Sequence, residues 1–312
     1  MDTKKVKIFS GTANPVLAAK IAETLGIPMG DAEVGRFNDG EISLRIDETV
    51  RGCEVFVIQP TAAPADALME LLVMIDAFRR ASAKHIAAVI PYYGYARQDR
   101  KTRPRDPICA KLVANLIEAA GADRVLTMDL HAAQIQGFFD IPVDNLKAIP
   151  ILTGYFEEKK LENVVVVSPD VGGVTRAREM SERLHAPIAI INKRRPAPGV
   201  AQITHVIGDV KGCTAIMVDD IIDTGGTIIQ GAEALLRQGA KEVYACCSHA
   251  LLSKNAAERL QESPLVEIVA TDSLALPPAK QVPKLKLLSV APLFAEAIRR
   301  IVDEISVSKL FT

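Results

Sequence analysis

Ala215-Ile216-Met217-Val218-Asp219-Asp220-Ile221-Ile222-Asp223-Thr224-Gly225-Gly226-Thr227 is the stretch on which the fold depends. Four apolar residues read as a buried strand, and two carboxylates follow at its C-terminal end, where open α/β sheets collect their ligands. Asp223-Thr224-Gly225-Gly226-Thr227 then opens a helix. The two glycines let successive backbone N–H groups converge, and the threonine hydroxyls and the helix N-terminus add donors, which together make a nest for a phosphate. Ionised Asp accepts from vicinal hydroxyls, so the segment suits a ligand with one phosphate and several hydroxyls. A plain capped helix with solvated Asp219 and Asp220 is the competing reading. A third acid, Asp223, ahead of the glycines weighs against it.

The pattern continues on both sides. Strand-length apolar runs at Val6–Ser10, Val55–Gln59, Ile86–Pro91, Arg124–Met128, Val164–Ser168, Ala189–Asn192, Ala215–Val218 and Glu242–Cys247 alternate with helical segments. The helices are predicted at Asn14–Leu25, Asp66–Ala81, Pro107–Ala120, Val174–Leu184 and Thr227–Gln238. This alternation is that of a doubly wound α/β sheet. In the last helix Ile228, Ala232, Leu235 and Leu236 share one face, and Gly239 supplies a stop. Glu33–Ile46 differs: alternating Ile42, Leu44 and Ile46 after Asn38-Asp39-Gly40 predict a β-hairpin.

The two halves resemble each other. Arg51-Gly52-Cys53 and Lys211-Gly212-Cys213 each precede an apolar strand, an offset of 160 (51 to 211). Ala77–Lys84 matches Ala234–Lys241 at an offset of 157 (77 to 234). These offsets predict an internal duplication. The expected domains are 1–148 and 149–289, joined near Ile149-Pro150, with a last helix at Pro292–Ile305 and a C-terminal segment, 290–312, rejoining the first domain. Where the second half has Asp219-Asp220, the first has Gln59-Pro60, which supplies no carboxylate pair.

Bulk composition bounds the function. The 312 residues are 49% hydrophobic and 24% charged, with a formal net charge of −1. Such a chain is globular and carries no general field for nucleic acid or acidic membranes. Cys53, Cys109, Cys213, Cys246 and Cys247 lack C-x-x-C spacing and read as reduced, mostly buried thiols. Neither a signal-peptide apolar region nor a run of membrane-spanning length is present, so a cytoplasmic location is expected.

Four further segments carry chemistry. Ser168-Pro169-Asp170-Val171-Gly172-Gly173-Val174-Thr175-Arg176 is a second strand–Gly-Gly–helix turn, suited to a polyphosphate with Asp170 toward a metal, although such turns also occur without ligands. Pro91–Arg105 holds three of the five tyrosines and five cations, including Arg97. It fits a purine triphosphate, a solvated basic loop or single-stranded nucleic acid, and the net charge disfavours the last. His131 follows a strand, where a site is expected. Lys193-Arg194-Arg195 are adjacent cations that an anion would gather, in either a mobile lid or a solvated loop. There is no G-x-x-x-x-G-K-[ST], G-x-G-x-x-G or H-E-x-x-H motif.

The Asp219–Thr227 segment resembles the phosphoribosyl pyrophosphate (PRPP) motif of type I phosphoribosyltransferases and PRPP synthetases. With Phe9–Asn14, Gly35–Glu41 and His131–Phe139, the chain resembles class I ribose-phosphate pyrophosphokinases over essentially its whole length. That resemblance implies two duplicated phosphoribosyltransferase-like domains, each a central parallel sheet flanked by helices. It implies transfer of the pyrophosphoryl group of Mg-ATP to ribose 5-phosphate, feeding nucleotide, histidine and tryptophan biosynthesis. It also implies roles for individual residues. Phe37, Asp39, Gly40 and Glu41 meet ATP in a neighbouring subunit's site, and Arg97 and Gln98 also meet ATP. His131 and Asp170 lie at Mg²⁺, and Asp170, Val171, Gly172 and Gly173 form a pyrophosphate loop. Lys193 and Arg195 are catalytic, and Arg195 joins Asp219, Asp220, Asp223, Thr224, Gly225, Gly226 and Thr227 at ribose 5-phosphate. A homohexamer with ADP and phosphate as effectors is implied as well. The rivals are a phosphoribosyltransferase that consumes PRPP and a catalytically silent regulatory relative.

Overall fold

The computed structural model describes the backbone of residues 5–197 and 200–310 and the side chains of residues 5–192 and 205–310. The chain divides into two compact units, Met1–Lys147 with Ser273–Ala275 and Ser289–Thr312, and Ala148–Asp272 with Leu276–Leu288.

The first unit contains a five-stranded parallel sheet in the order β1-β4-β5-β6-β7. Its strands are β1 (Val6–Ser10), β4 (Glu54–Ile58), β5 (His85–Ile90), β6 (Arg124–Met128) and β7 (Val143–Leu146). Helices α1 (Pro15–Leu25), α2 (Asp66–Arg80) and α3 (Cys109–Ala120) connect them. The Asn14 side chain accepts from the Leu17 amide and Pro15 opens the first turn, so α1 begins where its capping residues dictate. The predicted hairpin is present as β2 (Ala32–Arg36) and β3 (Ile42–Ile46), antiparallel, with Val34, Leu44 and Ile46 packed on the core. Helix α8 (Ala291–Val302) belongs to this unit and packs on α1, burying Phe294 and Ile298.

The second unit contains seven strands in the order β10-β9-β8-β11-β12-β13-β14. These are β8 (Val164–Ser168), β9 (Ile188–Ala197), β10 (Val200–Ile207), β11 (Thr214–Ile222), β12 (Glu242–Ala250), β13 (Ile268–Thr271) and β14 (Leu285–Leu288). All pairings are parallel except β9 with β10. Helices α4 (Ile149–Lys159), α5 (Val174–Leu184), α6 (Gly226–Arg237) and α7 (Ala256–Glu262) complete it. Ile149-Pro150 opens α4, with proline in its first turn. Ile228, Ala232 and Leu235 of α6 are buried as the periodicity predicts. At Gly231 a Cβ would stand 2.8 Å from Met217 Sδ, so glycine allows the helix to lie close on β11.

The duplication is present in the hydrogen-bond register itself. Val6 faces Glu54 and Glu54 faces His85 in the first unit. At offsets of 158 (6 to 164), 160 (54 to 214) and 157 (85 to 242), Val164 faces Thr214 and Thr214 faces Glu242 in the second. The edge repeats too, with Val125 on Val143 and Ile268 on Leu285. Strands β9 and β10 stand in chain order where β2 and β3 stand in the first unit, but they extend the main sheet, whereas β2 and β3 form a separate two-stranded one. All five cysteines are unbridged. Among the described residues no helix is long and apolar enough to cross a membrane.

Candidate active site

Strand β11 outlasts its neighbour. It pairs with β8 only from Thr214 to Met217, then continues alone on that side to Ile222. Asp219 and Asp220 therefore stand where the sheet opens at its C-terminal end, the position predicted for them. Asp220 is buried, and Asp219 Oδ1 accepts from the Asp220 amide at 2.9 Å. From α5, Arg176 Nη1 lies 3.6 Å from an oxygen of each carboxylate. Burial first, and then the hydrogen bond and charge of Asp220, push the Asp219 carboxyl up to about 8, against the pull of Arg176. On β12, Cys246 and Cys247 flank the pair, and burial keeps both thiols protonated.

The Asp223–Thr227 turn is held from behind. The Ser253 amide donates to Asp223 O at 3.0 Å, and Arg259 Nη1 donates to Thr224 O at 3.1 Å. Gly225 has φ +73°, and a Cβ there would stand 3.1 Å from Leu260 Cγ, so both conformation and space call for glycine. No side chain caps α6. Its first amides, which have no acceptor within the helix, face the turn as donors for an outside anion.

The second glycine loop follows β8. Ser168 Oγ donates to Asp170 O at 2.6 Å, and Asp170 Oδ1 accepts from the Gly173 amide at 3.0 Å. One Asp170 oxygen thus fixes the loop. Val171 is 68% exposed, Gly172 is exposed and Gly173 is buried, which leaves the loop crest to solvent.

In the first unit, Phe37, Asp39, Gly40 and Glu41 form the exposed tip of the β2–β3 hairpin. The Phe37 amide donates to Glu41 O at 2.8 Å, and Asp39 Oδ1 accepts from the Glu41 amide at 3.1 Å. Arg97 and Gln98 are exposed on the loop after β5. Asp129, at φ +41°, turns the chain off β6 so that His131 emerges exposed. Gln134 Nε2 donates to Asp99 Oδ2 at 3.0 Å, tying the His131 segment to the Arg97–Gln98 loop. Of the aromatic residues predicted as nucleotide contacts, Tyr92 and Tyr93 belong to the core. Tyr93 Oη donates to Ala110 O at 2.9 Å, and Tyr95 alone of the three is exposed. Lys193 and Arg195 lie on β9, with Lys193 opposite Ile203 of β10; their side chains fall outside the described residues.

Residues 6–121 match the family described as the N-terminal domain of ribose phosphate pyrophosphokinase, and residues 197–312 match the phosphoribosyl synthetase-associated domain. A ribose-phosphate pyrophosphokinase of Clostridium tetani is 62% identical over 99% of this chain and 98% of its own length. That of Caldanaerobacter subterraneus subsp. tengcongensis is 64% identical over 99% of both. The chain belongs to the ribose-phosphate pyrophosphokinase family. The crystal structure of phosphoribosylpyrophosphate synthetase from Mycobacterium smegmatis superposes with a TM-score of 0.91 at 46% identity, over 96% of this chain and 99% of that one.

Against this pyrophosphokinase frame, Arg176 is the residue that the sequence reading passed over. It closes the quoted Ser168–Arg176 segment, and its place in the first turn of α5 was the available signal. What could not be read was that this turn lies against the unpaired end of β11.

Proposed function

We propose that the chain transfers the pyrophosphoryl group of ATP to the anomeric hydroxyl of D-ribose 5-phosphate, giving PRPP and AMP. The observation that carries this reading is the crevice in which Asp219 and Asp220 stand beside the Gly225 turn and the uncapped start of α6. Asp219, Asp220 and Asp223 accept from the ribose hydroxyls. Thr224, Gly225, Gly226 and Thr227 donate to the 5-phosphate, and Asp170, Val171, Gly172 and Gly173 receive the pyrophosphate.

The hydroxyl attacks the β-phosphorus in line as it loses its proton, and AMP leaves with the bridging oxygen. The protein's part is positioning and charge neutralisation. Lys193 and Arg195 meet the charge that develops on the transferring group, with Arg195 also reaching ribose 5-phosphate. The expected cation is Mg²⁺, which when bound would neutralise the polyphosphate. Asp170 offers it a hard oxygen donor, and His131 is the second protein group in this reading.

Arg97 and Gln98 bind ATP in this reading. The exposure of Phe37 (59%) and of Asp39, Gly40 and Glu41 supports a hairpin tip that serves the ATP site of a neighbouring copy. The first unit, with α8, then carries nucleotide contacts and assembly into a homohexamer, and the second carries the sugar. ADP and phosphate are the expected effectors, in a cytoplasmic enzyme. The test is AMP release by purified protein from ATP, Mg²⁺ and ribose 5-phosphate with no base added. Turnover of PRPP with a base, and none of ATP, would instead mark a phosphoribosyltransferase.

A further inference from the structure

Adjacent residues on a flat strand send their side chains to opposite faces. Asp219 and Asp220 nevertheless present one oxygen each to the same nitrogen, Arg176 Nη1, at 3.6 Å. Two features allow this. β11 has no β8 partner beyond Met217, and Asp219 folds back to accept from the Asp220 amide. The Arg176 side chain is only 19% exposed, so its charge lies in the wall of the crevice and is weakly screened. Among the described residues, the groups that act on the pair include Arg176 from α5 and the thiols of Cys246 and Cys247 from β12.

We propose that Arg176 is a positioning residue for the sugar: it holds Asp219 and Asp220 on one side of β11 as an oriented pair of acceptors for the ribose hydroxyls. This rests on the reading that the pair binds ribose 5-phosphate. Two carboxylates this close share a proton readily, and a protonated carboxyl is a donor where the sugar needs an acceptor. The guanidinium opposes that protonation, and its rigid plane fixes the one nitrogen that both carboxylates meet, which the flexible stem of a lysine does less well. Its removal acts on sugar affinity through Asp219 and Asp220, with no contact to the transferring group required.

The experiment is steady-state kinetics of Arg176→Gln, Arg176→Lys and Asp220→Asn from pH 6 to 9. Arg176→Gln is expected to raise KM for ribose 5-phosphate about tenfold at pH 7, the equivalent of about one pK unit. KM for ATP is expected to stay at the wild-type value, and the acidic limb of kcat/KM for the sugar to move to higher pH. Arg176→Lys should fall between the two, and it carries the test if the glutamine variant does not fold. An unmoved limb with wild-type KM for the sugar overturns the proposal, as does an equal rise in both KM values. Asp220→Asn separates the two levels. If it leaves KM for the sugar unchanged, the site reading falls and the proposal with it. If it raises that KM while Arg176→Gln does not, only the role of Arg176 falls.

Discussion

Gln59 Nε2 donates to Glu70 Oε1 at 2.8 Å inside the first unit, at the end of β4 that the repeat superposes on Asp219 of β11. Glu70 is 3% exposed and sits in the opening turns of α2, as Thr227 does in α6. Its two oxygens also accept from the Thr12 amide at 2.5 Å and the Thr12 hydroxyl at 2.8 Å, while Gln59 Oε1 accepts from the Ala13 amide at 3.0 Å. The glycine loop after β1, the counterpart of the Asp170 loop, is thereby closed by an anion of its own unit. At Gly11 a Cβ would stand 2.4 Å from Gln59 Oε1, so the plug leaves no spare room.

Glu70→Ala is therefore expected to destabilise the protein. The Thr12 amide and the Gln59 side chain lose a buried acceptor, at a cost of about 1–3 kcal/mol for each group left unmade. Urea unfolding should show a lower midpoint with little change in slope. Calorimetry on the wild type should find one ribose 5-phosphate per chain. Two per chain would contradict a closed first unit.

The carboxyl of Asp219, raised from an ordinary 3.8 to about 8, makes a prediction with a definite sign. Between those values the folded state binds more protons than the unfolded state, so stability falls as pH rises through this window. Each pK unit of the rise is worth about 1.4 kcal/mol, so the loss accumulates steadily across the window. Asp219→Asn should flatten this dependence and stabilise the protein at pH 8. A steeper fall in the Asn variant, followed by thermal melts across pH, would rule out burial of an ionising Asp219 as its source.

Gly225→Ala tests the turn. At φ +73° an alanine costs about 1–2 kcal/mol, and its methyl meets Leu260 at 3.1 Å. Relief requires the turn to shift, which moves the α6 amides off the position proposed for the 5-phosphate. KM for ribose 5-phosphate is expected to rise by about tenfold or more, with a smaller change for ATP. Unchanged sugar kinetics in a folded variant would detach the turn from the substrate.

Much of this was legible because the signals are local and strong. Val6–Ser10, Arg124–Met128 and Val164–Ser168 are strands at the predicted bounds, since each is an apolar run closed by a turn or a capped helix. The short strands Val143–Leu146, Ile268–Thr271 and Leu285–Leu288 escaped, four residues being too few to show a period. Tyr92 and Tyr93 were offered as nucleotide contacts because sequence does not say which way a residue beyond a strand faces. In the fold they fill the core, and Gly94 lets that chain press onto Thr61, whose carbonyl would be 1.9 Å from a Cβ. Arg176 and Glu70 escaped for a related reason. Each acts across a gap between elements more than 40 residues (176 to 219) or 50 residues (12 to 70) apart, and only tertiary structure closes it.

The cations of β9 yield the most severe test. Strand β9 extends from Ile188 to Ala197, well beyond the predicted Asn192, and β10 returns antiparallel beside it with Lys193 opposite Ile203. Lys193-Arg194-Arg195 thus sit in a hairpin that follows α5 as β2–β3 follows α1, and three successive cations in sequence repel unless an anion gathers them. If that anion is the transferring polyphosphate, the gain appears only as charge develops in the transition state. Lys193→Ala should then lower kcat by roughly 10³–10⁵, as loss of a cation does in other phosphoryl transfers, with ATP affinity nearly intact. Single-turnover kinetics alongside calorimetric ATP binding makes the separation. A variant that turns over at the wild-type rate removes Lys193 from the chemistry, and one that loses ATP binding in step with rate makes it a ground-state contact instead.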